Sequence, residues 1–403
     1  MATVAIIAEY NPFHKGHEHQ IKALRKMLGE DTEIVAIMSG NTVQRGDVAV
    51  LDKYMRAECA CLSGVNLVLE LPFPYSSVSA ELFAASGVKI ADSLGVVDYL
   101  AFGSESGDID ELIKIADIMN GESFKDTFAK ISNDSRHLGA GYPELIEATY
   151  KKITGKAHAP LTPNNILGIE YIKQLKIRSS KITPITIKRE GADFNEENIT
   201  GERSESATAI RAISCEVPND ALIHIPEATR ETVSRAIDEG LFPATTDNLS
   251  SIIIPSLLLN STAPDEEIHD AAGGLYNRLI AAARRSVTIS ELVSLSETKR
   301  YTNARIRRAV LFSYLGVTSS KAKALPAYTQ VLASDKVGFG ILARARKSSA
   351  IPILTKPTDT DKLNDEAKDQ KALSDKADIL FGFATKEKRP AQKMLSRTPY
   401  VIK

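Results

Sequence analysis

Five short runs of aliphatic and β-branched residues, Thr3 to Ala8, Ile34 to Met38, Leu67 to Leu71, Tyr99 to Phe102 and Ile182 to Ile187, alternate with amphipathic stretches such as Gly16 to Leu28 and Lys53 to Leu62. Runs that are apolar at nearly every position cannot face water on either side, and strands joined through helices run parallel. The first half of the chain is therefore expected to be α/β, a parallel sheet covered on both faces. Such sheets bind ligands beyond the carboxyl ends of their strands. With 403 residues, 43% of them hydrophobic, the chain has material for two cores rather than one.

After about Val217 the pattern changes. Glu227 to Glu239, Asp265 to Ala283 and Arg305 to Tyr314 have helical character without comparable strand runs, so residues 217–403 are expected to form a mainly α-helical domain behind an N-terminal domain of residues 1–216. Thr355 to Ala377, crowded with Lys, Asp and Glu, reads as a solvated helix or mobile connector. Ile379-Leu380-Phe381 should pack back on the fold.

A formal net charge of -1 means that any surface for a polyanion must be local. The cysteines, Cys59, Cys61 and Cys215, form no CxxC pair and read as reduced thiols, with Cys59 and Cys61 on different faces of one helix; no metal site is expected. No run reaches membrane-spanning length and no basic stretch precedes Val4-Ala5-Ile6-Ile7-Ala8, so the expectation is a soluble, cytoplasmic protein without a membrane or an evident protein partner. Gly338-Phe339-Gly340 lies outside any strand-helix unit and does not read as a dinucleotide motif.

The chemistry concentrates where the first strand ends, in Ala8-Glu9-Tyr10-Asn11-Pro12-Phe13-His14-Lys15-Gly16-His17. A turn from a first strand into a helix aims backbone N–H groups and the positive end of the helix dipole at one point, where phosphate is the natural ligand. His14 and His17 would flank that point, and Gly16 would let a phosphate approach the backbone. Two imidazoles can donate hydrogen bonds to charge growing on an α-phosphate as pyrophosphate leaves. Surface histidines, or two metal ligands at i and i+3, are the competing readings of an isolated HxxH.

This stretch resembles the HxGH motif of the nucleotidyltransferase superfamily, which includes class I aminoacyl-tRNA synthetases and cofactor adenylyltransferases. Five further segments narrow the resemblance: Met38-Ser39-Gly40-Asn41 with Val43-Gln44-Arg45-Gly46, Glu70-Leu71-Pro72-Phe73-Pro74-Tyr75, Phe102-Gly103-Ser104-Glu105, Pro163-Asn164-Asn165-Ile166-Leu167-Gly168 and Ser206-Ala207-Thr208-Ala209-Ile210-Arg211. Together they look like the tRNA(Met) cytidine acetate ligase family, from residue 2 to about 213 and more weakly through Lys299-Arg300-Tyr301-Thr302 and Arg305-Ile306-Arg307-Arg308. The resemblance implies a Rossmann-like nucleotidyltransferase domain that uses ATP as substrate, with Mg2+ accompanying it, and that activates acetate as acetyl-adenylate. The acetyl group would then pass to the wobble cytidine of elongator tRNA(Met), forming N4-acetylcytidine. Thr42 stands where that family pattern has an aromatic residue, which bears on the wall of the small-substrate pocket.

By the same resemblance the ATP-binding loop would comprise Ile7, Ala8, Glu9, Tyr10, Asn11, Pro12, Phe13, His14, Lys15, Gly16, His17, Glu18, His19 and Gln20, with Gly103, Asn165 and Arg189 completing the pocket. The residues themselves are compatible with those roles. Gly103 falls at the end of a strand, where a side chain would obstruct a nucleoside or where a plain turn glycine would also sit. Asn165 can donate to and accept from a ribose or base edge, or Asn164 and Asn165 can cap a helix. Ser206, Thr208 and Arg211, at the start of a helical pattern, could hold the β- and γ-phosphates and are candidate catalytic residues with His14 and His17, although such a start often serves only as a cap. Lys299, Arg300, Arg305, Arg307 and Arg308, with Tyr301 among them, form a basic strip able to bind tRNA phosphates and stack a base, or an exposed helix face paired with nearby acids. The alternative functions are an adenylyl- or cytidylyltransferase that makes a nucleotide cofactor from a small phosphorylated compound, and a non-catalytic tRNA-binding protein.

Overall fold

The structure, a computed structural model, describes residues 1–134, 142–155, 161–189, 206–259 and 268–402. Its centre is one sheet in the order β5-β4-β1-β2-β3-β6-β7, built from β1 (Thr3–Ala8), β2 (Glu33–Ser39), β3 (Leu67–Leu71), β4 (Tyr99–Ser104), β5 (Thr183–Lys188), β6 (Thr329–Ser334) and β7 (Ile353–Leu354), with β8 (Tyr400–Val401) beside β6. The five strands expected from the apolar runs all form, and all pair in parallel. β1 lies between β2 and β4, in register Ile6 with Ala36 and with Ala101. The chain winds outward from β1 to β3 and then returns to the other side of β1, so strand order reverses at β1 and β4. The crevice at their carboxyl ends is where an open α/β sheet binds its ligand.

Alternation along β1 shows how both faces are covered. Ala5 and Ile7 join a buried cluster containing Phe83, Ala84 and Val88 of α3 (Ala80–Leu94) and Ile169, Tyr171 and Ile172 of the helix Pro163–Ile177. Val4 and Ile6 join the opposite cluster with Ile21 and Leu24 of α1 (Lys15–Leu28) and Tyr54, Met55 and Ala57 of α2 (Lys53–Leu62). At about 25 cal/mol per Å² of apolar surface, burying each of these larger side chains contributes about 1.5–3 kcal/mol.

The second half is mainly helical, as expected, but it also adds three strands that no run in the sequence announces. β6 pairs antiparallel with β3, with a register shift between Val68 and Leu69, and β7 and β8 follow β6. The run Gln330 to Ala333 is too short and too mixed to stand out in sequence, but it is buried on pairing. The helices Leu275–Ala283 and Asn303–Leu315 share a buried cluster with Leu71 and Phe73, and Phe73 meets Phe312 at 5.9 Å. The change of pattern near residue 216 is thus crossed by both the sheet and its core. The helix expected over Asp265 to Ala283 begins only at Leu275, because Gly273 and Gly274, at φ 75 and 90, break it; residues 265–267 lie outside the described residues.

Thr355 to Ala377 resolves into a 3-10 turn, Pro357–Lys362, and the helix Asp365–Phe381, whose Leu380 and Phe381 are buried as expected. Among the described residues no helix is long and apolar enough to cross a membrane.

Candidate active site

After β1 the chain turns at Tyr10, whose φ of 48 lies in the left-handed region that non-glycine residues rarely adopt, and enters α1 with His14 as N-cap. The two histidines cap the helix reciprocally. His14 Nδ1 accepts from the Gly16 N–H at 3.1 Å, and His17 Nδ1 accepts from the His14 N–H at 3.2 Å. A backbone N–H can only donate, so neither Nδ1 carries a proton, and each neutral ring must be the Nε2–H tautomer. The ring centroids are 3.8 Å apart. Burial, and then the nearby charges of Arg189, Arg211 and His224, lower the His14 pKa to about 3; burial and then His14 hold His17 well below its ordinary value. The site therefore presents a pair of neutral N–H donors.

This arrangement corrects one expectation. The first amides of α1 are not free for phosphate, because Lys15 N–H donates to the His224 carbonyl at 3.2 Å, Gly16 N–H to His14 and His17 N–H to the His14 carbonyl at 2.9 Å. The imidazoles use the helix-end donors internally and offer their own Nε2–H groups instead.

The loops around this turn are tied to one another. Arg56 of α2, fully buried, donates through Nε to the Leu51 carbonyl at 2.8 Å, through Nη1 to the Glu9 carbonyl at 2.5 Å and through Nη2 to the Gly40 carbonyl. Burial pushes its pKa down to about 10, which still leaves it charged. Gln44 N–H donates to Glu9 at 3.0 Å and Val50 N–H to Asn11 at 2.8 Å. From the other side, Arg211 Nη1 donates to the Asn11 carbonyl at 3.0 Å and Nη2 to Thr208 Oγ1 at 2.9 Å, while Ser206 Oγ caps the helix Ala207–Glu216 by accepting from Ala209 N–H at 3.1 Å.

Together these segments wall a cleft of about 580 Å³ at the carboxyl ends of β1 and β4. Of the expected residues, Ile7, Ala8, Glu9, Tyr10, Asn11, His14, His17, Gln20, Gly103, Arg189, Ser206, Thr208 and Arg211 line it. The rest of the N-terminal segment lies elsewhere. Phe13 packs on Tyr10 at 4.8 Å in the core and Pro12 is buried, Glu18 pairs with Lys22 at 3.0 Å, Lys15 and His19 face solvent, and Gly16 is held by His14.

Gly103 earns its place by a close approach. A Cβ there would sit 3.2 Å from Cγ of Arg189, which lies across it. Asn165 is buried and does not line the cleft; Asn164 does, with Leu167 and Tyr171. The Asn165 Oδ1 instead accepts from Glu105 N–H at 3.0 Å and Ser106 N–H at 3.4 Å, so it shapes the loop after β4. The Glu105 carboxylate answers by accepting from Thr162 Oγ1 at 2.6 Å, Asn164 Nδ2 at 2.7 Å and Asn165 N–H at 3.0 Å. Burial raises the Glu105 pKa, but these hydrogen bonds outweigh it and keep the carboxyl below its ordinary value. Thr42 is buried against Ser76, at 3.1 Å between hydroxyl oxygens, and is not part of the cleft wall.

The basic strip does not form one exposed face. Arg308 is buried and paired with Asp270 at 2.5 Å, and Arg305 donates to the carbonyls of Asp270 and Ala272 at 3.0 and 3.1 Å. Tyr301 is buried beneath Arg300 and Arg305, which stand 5.5 and 5.2 Å from its ring centroid, so it is not available to stack a base. Lys299 and Arg300 remain exposed. Arg307 turns inward: Nη1 donates to Asp47 Oδ1 at 2.7 Å, and both residues line the cleft.

Sequence reasoning missed Arg56, Asp47 and the turn Thr245 to Asp247, which all shape or line this space. The sequence carried little signal for Arg56, because Lys53 to Leu62 reads as amphipathic and only the structure shows eight of the ten residues of α2 buried.

A HIGH Nucleotidyl Transferase family model matches residues 1–395. Curated tRNA(Met) cytidine acetate ligases are similar along most of the chain: that of Caldanaerobacter subterraneus subsp. tengcongensis is 38% identical, covering 88% of this chain and 89% of the relative, and that of Acetivibrio thermocellus is 36% identical, covering 89% of each. The crystal structure of apo Thermotoga maritima TmcAL superposes with a TM-score of 0.90 at 30% identity and covers 100% of both chains. That of the same protein bound with alpha-thio ATP superposes with a TM-score of 0.89 at 29% identity, again over 100% of both chains.

Proposed function

Because the chain belongs to the HIGH nucleotidyl transferase family, and within it to the tRNA(Met) cytidine acetate ligases, we propose that its cleft binds ATP, joins acetate to the adenylyl group and passes the acetyl to the wobble cytidine of elongator tRNA(Met). The protein is an ATP-dependent ligase. The observation that carries the chemistry is the reciprocal cap of His14 and His17, which fixes both rings as neutral Nε2–H donors in the cleft.

In the first step a carboxylate oxygen of acetate attacks the α-phosphorus of ATP, and the bond to the bridging oxygen breaks with its electron pair leaving on pyrophosphate. Charge grows on the α-phosphoryl oxygens and on the leaving group. His14 and His17 donate to that charge, and Arg211 and Arg189 supply the positive field, with Ser206 and Thr208 orienting the phosphate tail. Preorganised donors of this kind contribute on the order of 10²–10³ in rate each. Acetate is itself the nucleophile, so no enzyme side chain needs to become acylated.

Mg2+ accompanying ATP would be held by phosphate oxygens and water. The exposed Lys299 and Arg300 supply phosphate contacts for the tRNA from outside the cleft.

The test is incorporation of radiolabelled acetate into unmodified elongator tRNA(Met), with and without ATP, by the wild-type protein and His14→Ala. ATP-dependent label at the wobble cytidine, reduced at least about 100-fold in His14→Ala, is expected. No label from wild-type protein that still binds ATP would sink the reading.

A further inference from the structure

Part of the cleft wall has no role in the activation of acetate described above: the loop Val43 to Val48 and Thr245, Thr246, Asp247, Ser290 and Arg307 from the second half of the chain. The loop is seated there by Gly46, at φ +83, where a Cβ would come within 2.4 Å of the Arg308 backbone nitrogen. Nothing larger than glycine allows this loop to lie against the helix Asn303–Leu315.

Asp47 is the junction of the three elements. Its Oδ1 accepts from Arg307 Nη1 at 2.7 Å and from Thr246 Oγ1 at 2.9 Å, and Thr246 Oγ1 in turn accepts from Val48 N–H at 3.2 Å. Both donors fall on one oxygen. Among the described residues nothing donates to Oδ2, and 35% of the side chain remains open. A carboxylate clamped through one oxygen and open through the other has a fixed orientation and a free acceptor. The charge of Asp47, with that of Glu9, also reaches Arg211 in the same cleft. Asp247 is a weaker candidate: it faces solvent, and its Oδ1 accepts from Ser290 N–H at 2.8 Å at the start of the helix Ile289–Ser296.

We propose that this part of the cleft wall receives the acceptor base and that Asp47 is the catalytic residue that takes the proton from its exocyclic amine. The inference rests on the ligase reading above. The amine nitrogen attacks the acyl carbon of the acyl-adenylate, forming the C–N bond. The bond from that carbon to the phosphate oxygen breaks, its electron pair leaving on AMP, and the proton of the amine passes to Oδ2 of Asp47 and from there to water. A cytosine amine is weakly basic and needs this proton removed as the new bond forms.

The experiment separates the half-reactions in Asp47→Asn, which keeps the Oδ1 acceptor for Arg307 and Thr246 but cannot take a proton. Acetate-dependent ATP–pyrophosphate exchange is expected to fall by no more than about 3-fold, while single-turnover acetyl transfer from preformed acetyl-adenylate to unmodified elongator tRNA(Met) falls about 100-fold or more. Asp47→Glu, which keeps a carboxylate, should transfer at least about 10-fold faster than Asp47→Asn. Transfer by Asp47→Asn at the wild-type rate, an equal loss in both half-reactions, or Asp47→Glu no faster than Asp47→Asn would each overturn the assignment. Absence of acetate-dependent exchange in wild-type protein would instead overturn the ligase reading beneath it.

Discussion

Replacing Lys53 by Met tests the buried frame on which the cleft loops stand. Lys53 Nζ donates to Glu70 at 2.8 and 2.9 Å and to Asp378 at 2.6 Å, and the three side chains are 3%, 2% and 7% exposed. Asp378 also accepts from Asn41 Nδ2 at 2.9 Å, and Asn41 Oδ1 accepts from Lys53 N–H at 2.8 Å. One ammonium thus faces two carboxylates. Burial, opposed by Lys53 and reinforced by Glu70, raises the Asp378 pKa to about 6. A carboxyl whose folded pKa is raised contributes stability below its unfolded pKa and loses it as pH rises through about 6. Removing Lys53 raises it further and extends that loss upward. Breaking a buried pair costs about 3–5 kcal/mol, and each unit of pKa shift is worth about 1.4 kcal/mol. Lys53→Met should therefore lose about 3–5 kcal/mol at pH 8 and at least about 1 kcal/mol less at pH 5.5. Urea unfolding followed by circular dichroism at the two pH values measures it. A second change, Glu70→Gln, should restore part of the loss by removing one uncompensated charge. A cost below about 1 kcal/mol, or one that is the same at both pH values, would refute the account of the triad as a charge-coupled unit.

Three further outcomes are expected. His14, with its pKa lowered to about 3, contributes stability that is complete above the unfolded value of 6.5 and is lost as pH falls from there toward about 3; correspondingly, acetate-dependent pyrophosphate exchange should show no histidine limb between about pH 6 and 8, and a limb that disappears in His14→Gln would contradict the neutral-donor role. Gly46→Ala combines a left-handed φ of +83 with a 2.4 Å approach to the Arg308 nitrogen, so it should cost about 2–4 kcal/mol in thermal or urea unfolding and raise the KM for tRNA. Lys299→Glu and Arg300→Glu should weaken tRNA binding and reduce the slope of log K against log salt by about 1 each in a filter-binding titration. Arg308→Glu, by contrast, should show its effect in unfolding, because Arg308 is buried on Asp270.

Much of the sheet could be read from the chain because β1 to β4 are buried along nearly their whole length, a pattern that a doubly covered parallel sheet satisfies, whereas β5 alternates and is only partly buried at the edge. The turn after β1 that carries His14 and His17 could be read because its position at the sheet's carboxyl edge is set by topology. Long-range pairing is less legible. β6 is buried by Glu70 through the Thr329 hydroxyl, at 2.7 Å to the Glu70 carbonyl, and by β3, partners that lie about 260 residues away and leave no local trace. How the basic strip divides is hidden for the opposite reason. Five cations in ten residues look alike in sequence, and only the positions of Asp270, Asp47 and Tyr301 divide them into buried struts, a cleft residue and exposed charges. Asn164 faces the cleft where Asn165 is expected because one residue step along a helix rotates the side chain by about 100°, and the loop at Glu105 takes Asn165.

The neutrality of the two histidines determines how charge is divided in the cleft. A histidine pair 3.8 Å apart cannot both be charged in a dry site without mutual repulsion, and their Nδ1 atoms are already committed as acceptors. They supply directional donors whose strength does not change near neutral pH. Positive charge must come from groups that remain ionised after burial, and guanidinium is the side chain that does so. Arg211, Arg189 and Arg307 meet that requirement in the cleft wall, Arg307 with Asp47 as its partner at 2.7 Å. Arg307 is thus neutralised by its carboxylate partner, whereas Arg189 and Arg211 enter no ion pair among the described residues. That difference would leave Arg189 and Arg211 to favour polyanion binding in the first step and Asp47 to act in the second.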